Sequence, residues 1–293
     1  MAKEIKVRAP VRVDLAGGWT DCAPFTNDKG GEVVNFAINQ YIEANMKIDD
    51  EGRLSVAYSS DCPVSSGLGT SAAMNVAFLS AIAGEGRSDV EIAELAYRFE
   101  ELLGNRGGRQ DQWAAAGGGF QHLMFYGDNV ERLPFEPAPS ALRWLKKHLI
   151  LAYTNVTHNS GELHNSIWQR YDEEDEEVHS ALMTLREMAR QVAGALNSDR
   201  RNDLIDAIRQ VSAAIEKMSP ELNAPYREVV DPLTEAKSIL AWKGMGAAAG
   251  GTIGIISNHD KQKEIIAACE SAGWTILDWD YDSEGLIRSE NNS

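Results

Sequence analysis

The chain has 293 residues, of which 43% are hydrophobic and 25% are charged, and this composition excludes disordered, fibrous and collagen-like proteins. At about 150 residues per domain, the length predicts two domains or one large one. The net charge of −16 repels polyphosphate backbones, so we expect no nucleic acid partner. Any phosphate site must then be built locally, from backbone dipoles and a cation.

The cysteines and the hydropathy of the chain indicate its compartment. Cys22, Cys62 and Cys269 are widely spaced and form no CxxC pair, which is typical of a reducing compartment and indicates neither a disulfide framework nor a zinc site. The N-terminal segment has no apolar signal core, and no run approaches the roughly 18 apolar residues of a membrane span. We therefore expect a cytoplasmic protein with no membrane partner.

The first half of the chain is predicted to contain strands followed by helices. Residue patterns predict strands over 3–14, 33–48 and 54–58. A loop rich in Ser, Gly and Pro then leads into an Ala-rich helix over 71–83, and helical spacing predicts a second helix over 88–103. The next segment, 104–119, has six glycines around a polar island at 109–112, and we predict a loop there.

A buried strand over 149–153 is predicted to open the second half. Helical stretches follow over 161–171, 177–196 and 201–218. The acidic run at 172–177 fits a solvated turn and helix start better than a cation site. Near the end, a Gly- and Ala-rich loop feeds a short strand within 245–256, followed by an amphipathic helix over 260–272 and a closing strand over 274–280. The pattern predicts a mixed α and β protein with a break near residue 145.

Residues 63–73 read Pro-Val-Ser-Ser-Gly-Leu-Gly-Thr-Ser-Ala-Ala and lead directly into a predicted helix. Gly67 and Gly69 give a phosphate room to approach backbone N–H groups, and a helix beginning near Ser71 supplies a positive dipole end. This is not the Walker pattern, because no Gly-Lys-Ser/Thr follows. An ordinary glycine turn that caps a helix fits the residues equally well.

Two acids stand near each other in the sequence. Glu100 lies near the end of a predicted helix, and Asp111 follows it within the glycine-rich segment. A helical carboxylate can bind Mg²⁺ together with a nucleotide, and a second acid can accept a hydroxyl proton. Taken alone, each is more often a surface carboxylate. The setting of Asp111 between two glycine clusters suits neither a core strand nor an amphipathic helix, and this favours a function for it.

Residues 12–21 read Arg-Val-Asp-Leu-Ala-Gly-Gly-Trp-Thr-Asp. The last three suit a sugar, because aromatic rings stack on pyranose faces and carboxylates accept hydrogen bonds from hydroxyl pairs. A plain turn with an Asx cap is an equally good interpretation. A further small-residue segment, 244–251, permits close approach of the backbone to a ligand or to a neighbouring element.

Together and in this order, these segments resemble the motifs of the GHMP kinase family, which includes galactokinase, homoserine kinase, mevalonate kinase and phosphomevalonate kinase. The counterparts are residues 9–21, 63–73 and 244–252, so the resemblance spans nearly the whole chain. Gly-Gly-Trp-Thr-Asp at 17–21, Gly-Gly-Arg-Gln-Asp-Gln at 107–112 and Ala-Tyr-Thr at 152–154 resemble the L-fucokinase and D-glycero-D-manno-heptose phosphate kinase branch. Ala248 and Ala249 stand where the family usually has glycine.

The resemblance implies an α+β fold of two domains. Residues 1–145 would form a domain like the second domain of ribosomal protein S5, and residues 146–293 a ferredoxin-like domain. The implied reaction is transfer of the γ-phosphoryl group of ATP, with Mg²⁺, to a hydroxyl of an L-fucose-like or heptose-like sugar, with the anomeric hydroxyl favoured. Sugar and nucleotide are the implied partners, and a homodimer stays open.

The resemblance also assigns roles by motif position. Asp111 would be the catalytic acid-base residue, and Arg12 would favour its charged form and offset developing negative charge. Ser71 and Glu100 would hold Mg²⁺. The nucleotide would be bound by Pro63, Ser65, Ser66, Gly67, Leu68, Gly69, Thr70 and Ser71. The sugar would be bound by Trp19, Thr20, Asp21, Gly108, Gln110 and Gly246.

Two departures from the family pattern bear on the substrates. The link between residues 48 and 54 is only a few residues, where relatives commonly have a few tens more, including part of the nucleotide pocket. The choice between ATP and another nucleoside triphosphate therefore stays open. Thr157-His158 stands where this branch often has Thr-Arg, and a missing arginine favours a neutral, unphosphorylated sugar. His158 is a candidate partner for a sugar hydroxyl or an exposed loop histidine.

Other functions fit the sequence less well. Phosphorylation of homoserine or mevalonate is a within-family alternative, but Gly-Gly-Trp-Thr-Asp suits a polyol better. A non-catalytic nucleotide- or sugar-binding regulator of the same fold would be expected to have lost Arg12, Glu100 and Asp111, which are all present. A dinucleotide-binding oxidoreductase is disfavoured because no strand is followed by Gly-x-Gly-x-x-Gly with an acid about twenty residues later.

Overall fold

Two antiparallel sheets, each packed against helices, organise the protein in a computed structural model that describes residues 3–105, 107–156 and 160–292. The first sheet has the order β10-β1-β2-β4-β5, and β3 pairs with the far end of β2. Its strands are β1 (Lys3–Ala16), β2 (Gly31–Ile48), β3 (Leu54–Ser60), β4 (Phe120–Tyr126), β5 (Asn129–Arg132) and β10 (Ile287–Asn292).

Helices from the first half pack on one another and on this sheet. The helices are α1 (Ala23–Asp28), α2 (Thr70–Ala83), α3 (Asp89–Leu102) and α4 (Gln110–Gly117). α2 packs on β1 and β2, and its many alanines let the helix backbone approach the sheet closely. α3 begins with a capping box in which Ser88 and Glu91 satisfy each other's backbone N–H groups.

The second sheet has the order β7-β8-β6-β9. A helical connection joins β6 to β7, and a helix joins β8 to β9, which is the β-α-β-β-α-β arrangement of ferredoxin-like domains. The strands are β6 (Leu149–Tyr153), β7 (Ile239–Gly244), β8 (Thr252–Ser257) and β9 (Thr275–Leu277). The helices are α5 (Pro139–His148), α6 (Ser160–Asp172), α7 (Glu176–Asn197), α8 (Arg201–Met218), α9 (Ala224–Glu235) and α10 (Gln262–Ser271), with a 3-10 turn at Pro220–Leu222.

One helix connects the two halves through the core. α7 packs on β1 and β2 with one side and on α8 with the other. Its buried residues, among them Leu182, Leu185 and Val192, belong to a hydrophobic cluster that includes Phe36 of the first sheet and Leu151 of the second. The two sheets therefore share one contiguous core, and clefts between them have rigid walls.

The α+β class is confirmed, and so are the predicted strands and helices around the motifs. Within the acidic run, Asp175 accepts hydrogen bonds from the N–H groups of Glu177 and Val178 and caps α7, so this run starts a helix as predicted. Among the described residues, none of the helices combines the length and apolar character that a membrane crossing requires.

Three predictions about the fold need correction. Residues 104–119 were predicted to be a loop, but they contain α4, which is buried on several sides and so lacks the amphipathic pattern of a surface helix. The closing strand extends only over β9, because the chain then returns to the first sheet, where Trp279 packs on Phe36. The last strand, β10, pairs with β1 and covers its edge. A single cut between residues 145 and 146 therefore assigns β10 to the wrong half; the rest of that division stays a prediction.

Candidate active site

A small cavity is lined by residues of the first motif, of the third motif and of the segment 107–111. It has a volume of about 150 Å³, a size suited to a compact ligand. Larger surface grooves exist, such as one of about 620 Å³ beside α8 and β7, but that groove contains none of the predicted site residues. The cavity is lined by the predicted residues Arg12, Trp19, Asp21, Gly108, Gln110, Asp111 and Gly246, and also by Cys22, Gly107, His164 and Ala247.

Arg12 and Asp111 form the central ion pair of the cavity. Two nitrogens of the Arg12 guanidinium lie 2.8 and 2.7 Å from Asp111 Oδ1, and Nη1 donates to the carbonyl of Gly67 at 2.7 Å. Asp111 lies in the first turn of α4, where the helix dipole stabilises a carboxylate. Burial raises the pKa of Asp111, and the charge of Arg12 opposes this rise. The arrangement therefore holds an acid in a fixed place beside an open cavity.

The loop before α2 has the shape that an anion site requires. Gly69 adopts a left-handed conformation with φ of +77° at the start of α2, and a Cβ there would lie 3.1 Å from Asp111 Cγ. Both the left-handed conformation and the close approach to Asp111 favour glycine at this position. No side chain caps the N-terminus of α2, so the backbone N–H groups of its first turn stay available to a ligand, where the helix dipole favours an anion.

Parts of the loop serve to hold its shape. The hydroxyl of Thr70 accepts from the N–H of Ser65 at 3.2 Å, and the carbonyl of Ser66 accepts from the N–H of Thr252 at 2.7 Å. Leu68 is fully buried in the core, so only its backbone can contact a ligand. Pro63 and Ser71 are exposed, and the Ser71 hydroxyl at the start of α2 is accessible.

Glu100 faces α2 from the neighbouring helix. Its carboxylate accepts from Asn75 at 2.8 Å and from Asn105 at 3.0 Å, and Asn75 lies one helical turn after Ser71. The side chain is buried, and this burial raises the pKa of Glu100, with the charge of Asp111 adding to the rise. A cation bound here would offset both effects.

The residues present fit a magnesium ion that is shared with a nucleotide. Mg²⁺ usually takes one or two carboxylates and completes its octahedral shell with phosphate oxygens and water. Among the described residues there is no group of three or more His, Cys, Asp or Glu that could hold a metal without help. A metal beside Glu100 and Ser71 would therefore need ligands that the phosphates supply.

Asp21 contacts the start of α4, the helix that carries Asp111. Its Oδ2 accepts from the N–H of Gln110 at 3.0 Å, at the start of α4. A Cβ on Gly108 would lie 1.9 Å from the same oxygen, so this approach requires glycine. Burial raises the pKa of Asp21 to about 7, with the charges of Asp111 and Asp14 adding to the rise. Asp21 is thus an acid whose charge changes near neutral pH.

Two predicted sugar contacts, Thr20 and Trp19, have side chains that are largely occupied by other parts of the protein. The hydroxyl of Thr20 donates to the carbonyl of Gly17 at 2.7 Å and accepts from the N–H of Glu32 at 3.1 Å. This fully buried side chain shapes the turn and does not line the cavity. Trp19 lines the cavity but is only 5% exposed, so its ring has little free face on which a pyranose could stack.

His164, which the sequence did not single out, covers the Trp19 ring. The two rings stack with centroids 4.8 Å apart and an angle of 26° between their planes. His164 Nε2 accepts from the indole N–H of Trp168 at 3.2 Å. His164 and Trp168 are four residues apart on α6, and this helical spacing is the only feature of the sequence that could have singled out His164. No local pattern in the sequence predicts that α6 packs on Trp19. His158, the candidate partner for a sugar hydroxyl, lies outside the described residues, as does Thr157.

The third motif packs on the first two. Gly246 has φ of +59°, and a Cβ there would lie 2.9 Å from the carbonyl oxygen of Gly67 and 3.4 Å from Arg12 Nη2. Ala248 and Ala249, which replace the usual glycines, adopt φ of +61° and +60°. The loop therefore keeps a glycine-like shape, although a left-handed conformation costs about 1–2 kcal/mol for each such alanine.

Comparisons with known proteins agree with this geometry. Residues 33–119 match the model of the GHMP kinases N terminal domain. The chain is 25% identical to D-glycero-alpha-D-manno-heptose 7-phosphate kinase of Campylobacter jejuni, over 97% of this chain and 98% of that protein. It is also 25% identical to the bifunctional fucokinase/GDP-fucose pyrophosphorylase of Arabidopsis thaliana, over 90% of this chain but only 31% of that longer protein.

The fold is similar to that of a solved sugar kinase. The crystal structure of a D-glycero-D-manno-heptose 1-phosphate kinase from Bacteriodes thetaiotaomicron superimposes with a TM-score of 0.78, covering 99% of this chain and 100% of that one. The sequences are 20% identical over this match, so the likeness concerns the fold. The whole chain, including both sheets, is thus accounted for by one known architecture.

Proposed function

We propose that the chain is a kinase of the GHMP type that transfers the γ-phosphoryl group of ATP to a hydroxyl of a sugar, with the anomeric hydroxyl favoured. The match of residues 33–119 to the GHMP kinases N terminal domain supports the family. One observation carries this proposal. The Arg12–Asp111 ion pair joins the loop before α2 to the wall of the cavity. A phosphate site and a proton acceptor are therefore neighbours, as phosphoryl transfer requires.

In this proposal each residue has one task. Asp111 accepts the proton of the attacking hydroxyl, and Arg12 holds the carboxylate in place and offsets negative charge. The backbone from Ser65 to Thr70 and the start of α2 bind phosphate oxygens. Mg²⁺, held by Ser71 and Glu100 together with the nucleotide, supplies charge neutralisation when bound. Asp21, with the neighbouring backbone of Gly108 and Gln110, binds sugar hydroxyls.

The charges of the cavity support a neutral sugar. Asp21 and Asp111 both line it, and Arg12 is the one Lys or Arg among its described lining residues. The guanidinium of Arg12 is already bonded to Asp111 and Gly67. A sugar phosphate would therefore place a dianion beside two acids, and the described lining residues offer it no free Lys or Arg. We accordingly place L-fucose-like sugars ahead of heptose phosphates as substrates.

The proposal also covers the cellular compartment, the oligomeric state and the nucleotide preference. Cys22, Cys62 and Cys269 are free and buried, which supports a reducing compartment, and we propose the cytoplasm. The homodimer stays a prediction. The nucleotide preference also stays a prediction, because the connection between β2 and β3 is short, so ATP has to be compared with other nucleoside triphosphates.

The test is release of nucleoside diphosphate across a panel of acceptors with Mg²⁺. The acceptors are L-fucose, galactose, mannose, glucuronate, a heptose 7-phosphate and cyclitols, each with ATP, GTP and CTP. We expect turnover with ATP and one neutral sugar, and NMR of the product then locates the phosphate. Silence on every pair, with nucleotide binding intact in a thermal shift assay, would overturn the kinase and favour a binding regulator of the same fold.

A further inference from the structure

Lys243 and Asp14 form an ion pair to which the proposed chemistry gives no task. Lys243 lies in β7 and Asp14 in β1, so the pair joins the two sheets. Lys243 Nζ lies 2.9 Å from Asp14 Oδ2 and also donates to the Asp14 carbonyl at 2.6 Å. The two side chains are 3% and 2% exposed. The ammonium group of Lys243 therefore bonds to both the side chain and the backbone of Asp14 in β1.

The pair lies directly behind the cavity. A Cβ on Gly18 would come 2.3 Å from Asp14 Oδ2, so the turn that leads to Trp19 packs on this carboxylate. Gly246 follows Lys243 by three residues and also lines the cavity. The ion pair thus connects the end of β1, which leads to the lining residues Trp19 and Asp21, with the end of β7, which leads to the lining residue Gly246.

Stability alone does not account for such a pair. Removing two charges from water is costly, and well-packed apolar residues of similar volume are often as stable or more so. Burial lowers the pKa of Lys243, and the charge of Asp14 opposes this. Asp14 Oδ1 is buried without a hydrogen-bond partner among the described residues, so the compensation is incomplete. A buried ion pair with these costs points to a geometric role.

We propose that Lys243 is a positioning residue of the sugar site, whose ion pair with Asp14 holds the turn carrying Trp19 and Asp21 at a fixed distance from the loop carrying Gly246. This role rests on the proposed function, because the walls that it holds are those of the proposed sugar cavity. Lys243 itself touches neither the cavity nor the proposed reacting groups. Its effect passes through Asp14 and the turn at Gly18.

The first test reads the position of the turn without any sugar. The chain has seven tryptophans, and labelling with 5-fluorotryptophan gives each a ¹⁹F signal; the signal of Trp19 is identified by its loss in Trp19→Phe. Lys243→Met keeps the unbranched chain and removes the charge. We expect the Trp19 signal to shift or broaden in this variant and to stay displaced in Asp14→Asn/Lys243→Met, which lacks the ion pair but leaves no unpaired charge. Lys261→Met, at an exposed surface pair, is the matched control.

The second test separates positioning from a loss of folded protein. With the sugar that gives the highest turnover in the panel, we expect Lys243→Met to raise KM for the sugar about tenfold and to leave KM for ATP within about twofold. The double variant should keep most of the change in KM, because it also lacks the ion pair. A purely structural role would lower the fraction of active protein and leave both KM values unchanged.

Each outcome decides the proposal. An unmoved Trp19 signal in folded Lys243→Met overturns it, as does a double variant whose Trp19 signal returns to its original position, because the unpaired charge of Asp14 would then explain the displacement. If Lys243→Met does not fold, Asp14→Asn and Lys243→Gln break the same pair and take its place in both tests. Failure of the proposed function appears differently, as absence of turnover by the unmodified protein on every sugar and nucleotide.

Discussion

The guanidinium of Arg12 lies 2.7 Å from Asp111 Oδ1 and bonds at the same time to the carbonyl of Gly67. The backbone N–H of Arg12 also donates to the carbonyl of Leu68 at 3.0 Å. One residue of β1 therefore fixes the loop before α2 relative to the first turn of α4. In a kinase of this design, it sets the distance between the phosphoryl group and the acid that takes the proton.

Asp111→Asn should abolish most of the turnover and leave the fold intact. The amide keeps the shape of the side chain but cannot accept the hydroxyl proton, and a positioned general base contributes about 10²–10⁴-fold to a rate. We expect a loss in this range in diphosphate release, with the thermal shift by ATP retained. Asp260→Asn, at an exposed residue, is the control. Near-normal turnover of Asp111→Asn would remove Asp111 from the mechanism.

Glu100→Gln should raise the Mg²⁺ concentration needed for half-maximal activity. The variant keeps an oxygen for Asn75 but loses the charge that a divalent cation would meet, and we expect a shift of about tenfold or more, since outer partners of metal ligands alone cost about 10–100-fold. Glu101→Gln changes the neighbouring, surface-paired glutamate of the same helix and should leave the titration unchanged. An identical Mg²⁺ titration for both variants would exclude Glu100 as a ligand.

Much of the fold and the order of the motifs could be predicted, because their signals are local. The alternation of β1 and β2 and the apolar run of β6 follow from residue type and spacing. The helix containing Asp111 could not be predicted in this way. α4 is short and buries Trp113 and its alanines on several sides. Its sequence therefore shows glycines near both ends but no amphipathic pattern.

The walls of the site depend on contacts between segments that lie far apart in the sequence. A single sequence shows no pattern from which such contacts could be predicted. Trp19 looked suited to stacking on a sugar, but His164 of α6 occupies the ring. Thr20 looked like a sugar ligand, but its hydroxyl is used within the turn. In both cases the residue type suggests sugar binding, but contacts formed in the folded protein already occupy the side chain.

Gly246→Ala should damage the site more than the fold. A Cβ at this position would lie 2.9 Å from the Gly67 carbonyl oxygen, so the third motif would be pushed away from the loop before α2. Gly127 has a similar φ of +55° and nothing within 4 Å of the corresponding Cβ. Both alanines should lower the free energy of unfolding by about 1–2 kcal/mol through backbone strain, as measured by urea unfolding.

The two variants should differ in activity. We expect kcat/KM of Gly246→Ala to fall at least about tenfold, which corresponds to about 1.4 kcal/mol of lost transition-state stabilisation. Gly127→Ala should retain the activity of the unmodified protein. Equal activities of the two variants would show that backbone conformation alone, and not the close approach to Gly67, explains the glycine.

Asp21 should make stability depend on pH in the direction opposite to that of most carboxylates. Its pKa is about 7 in the folded protein against an ordinary 3.8, so between these values the folded chain holds a proton that the unfolded chain has released. The free energy of unfolding therefore falls as pH rises from 4 to 7, by at most about 4 kcal/mol from this residue. Asp21→Asn cannot ionise, so urea unfolding at pH 5 and pH 8 should show a smaller loss for the variant.

The same titration should strengthen sugar binding as it weakens the fold. An ionised carboxylate accepts stronger hydrogen bonds from hydroxyl groups than a neutral one, so KM for the sugar should fall as pH rises through 7 in the unmodified protein. In Asp21→Asn we expect a higher KM that does not change over this pH range. A KM with the same pH dependence in both proteins would assign the titration to another group. The expected pattern would mean that the burial which raises the pKa of Asp21 is retained for binding, at a cost in stability above pH 7.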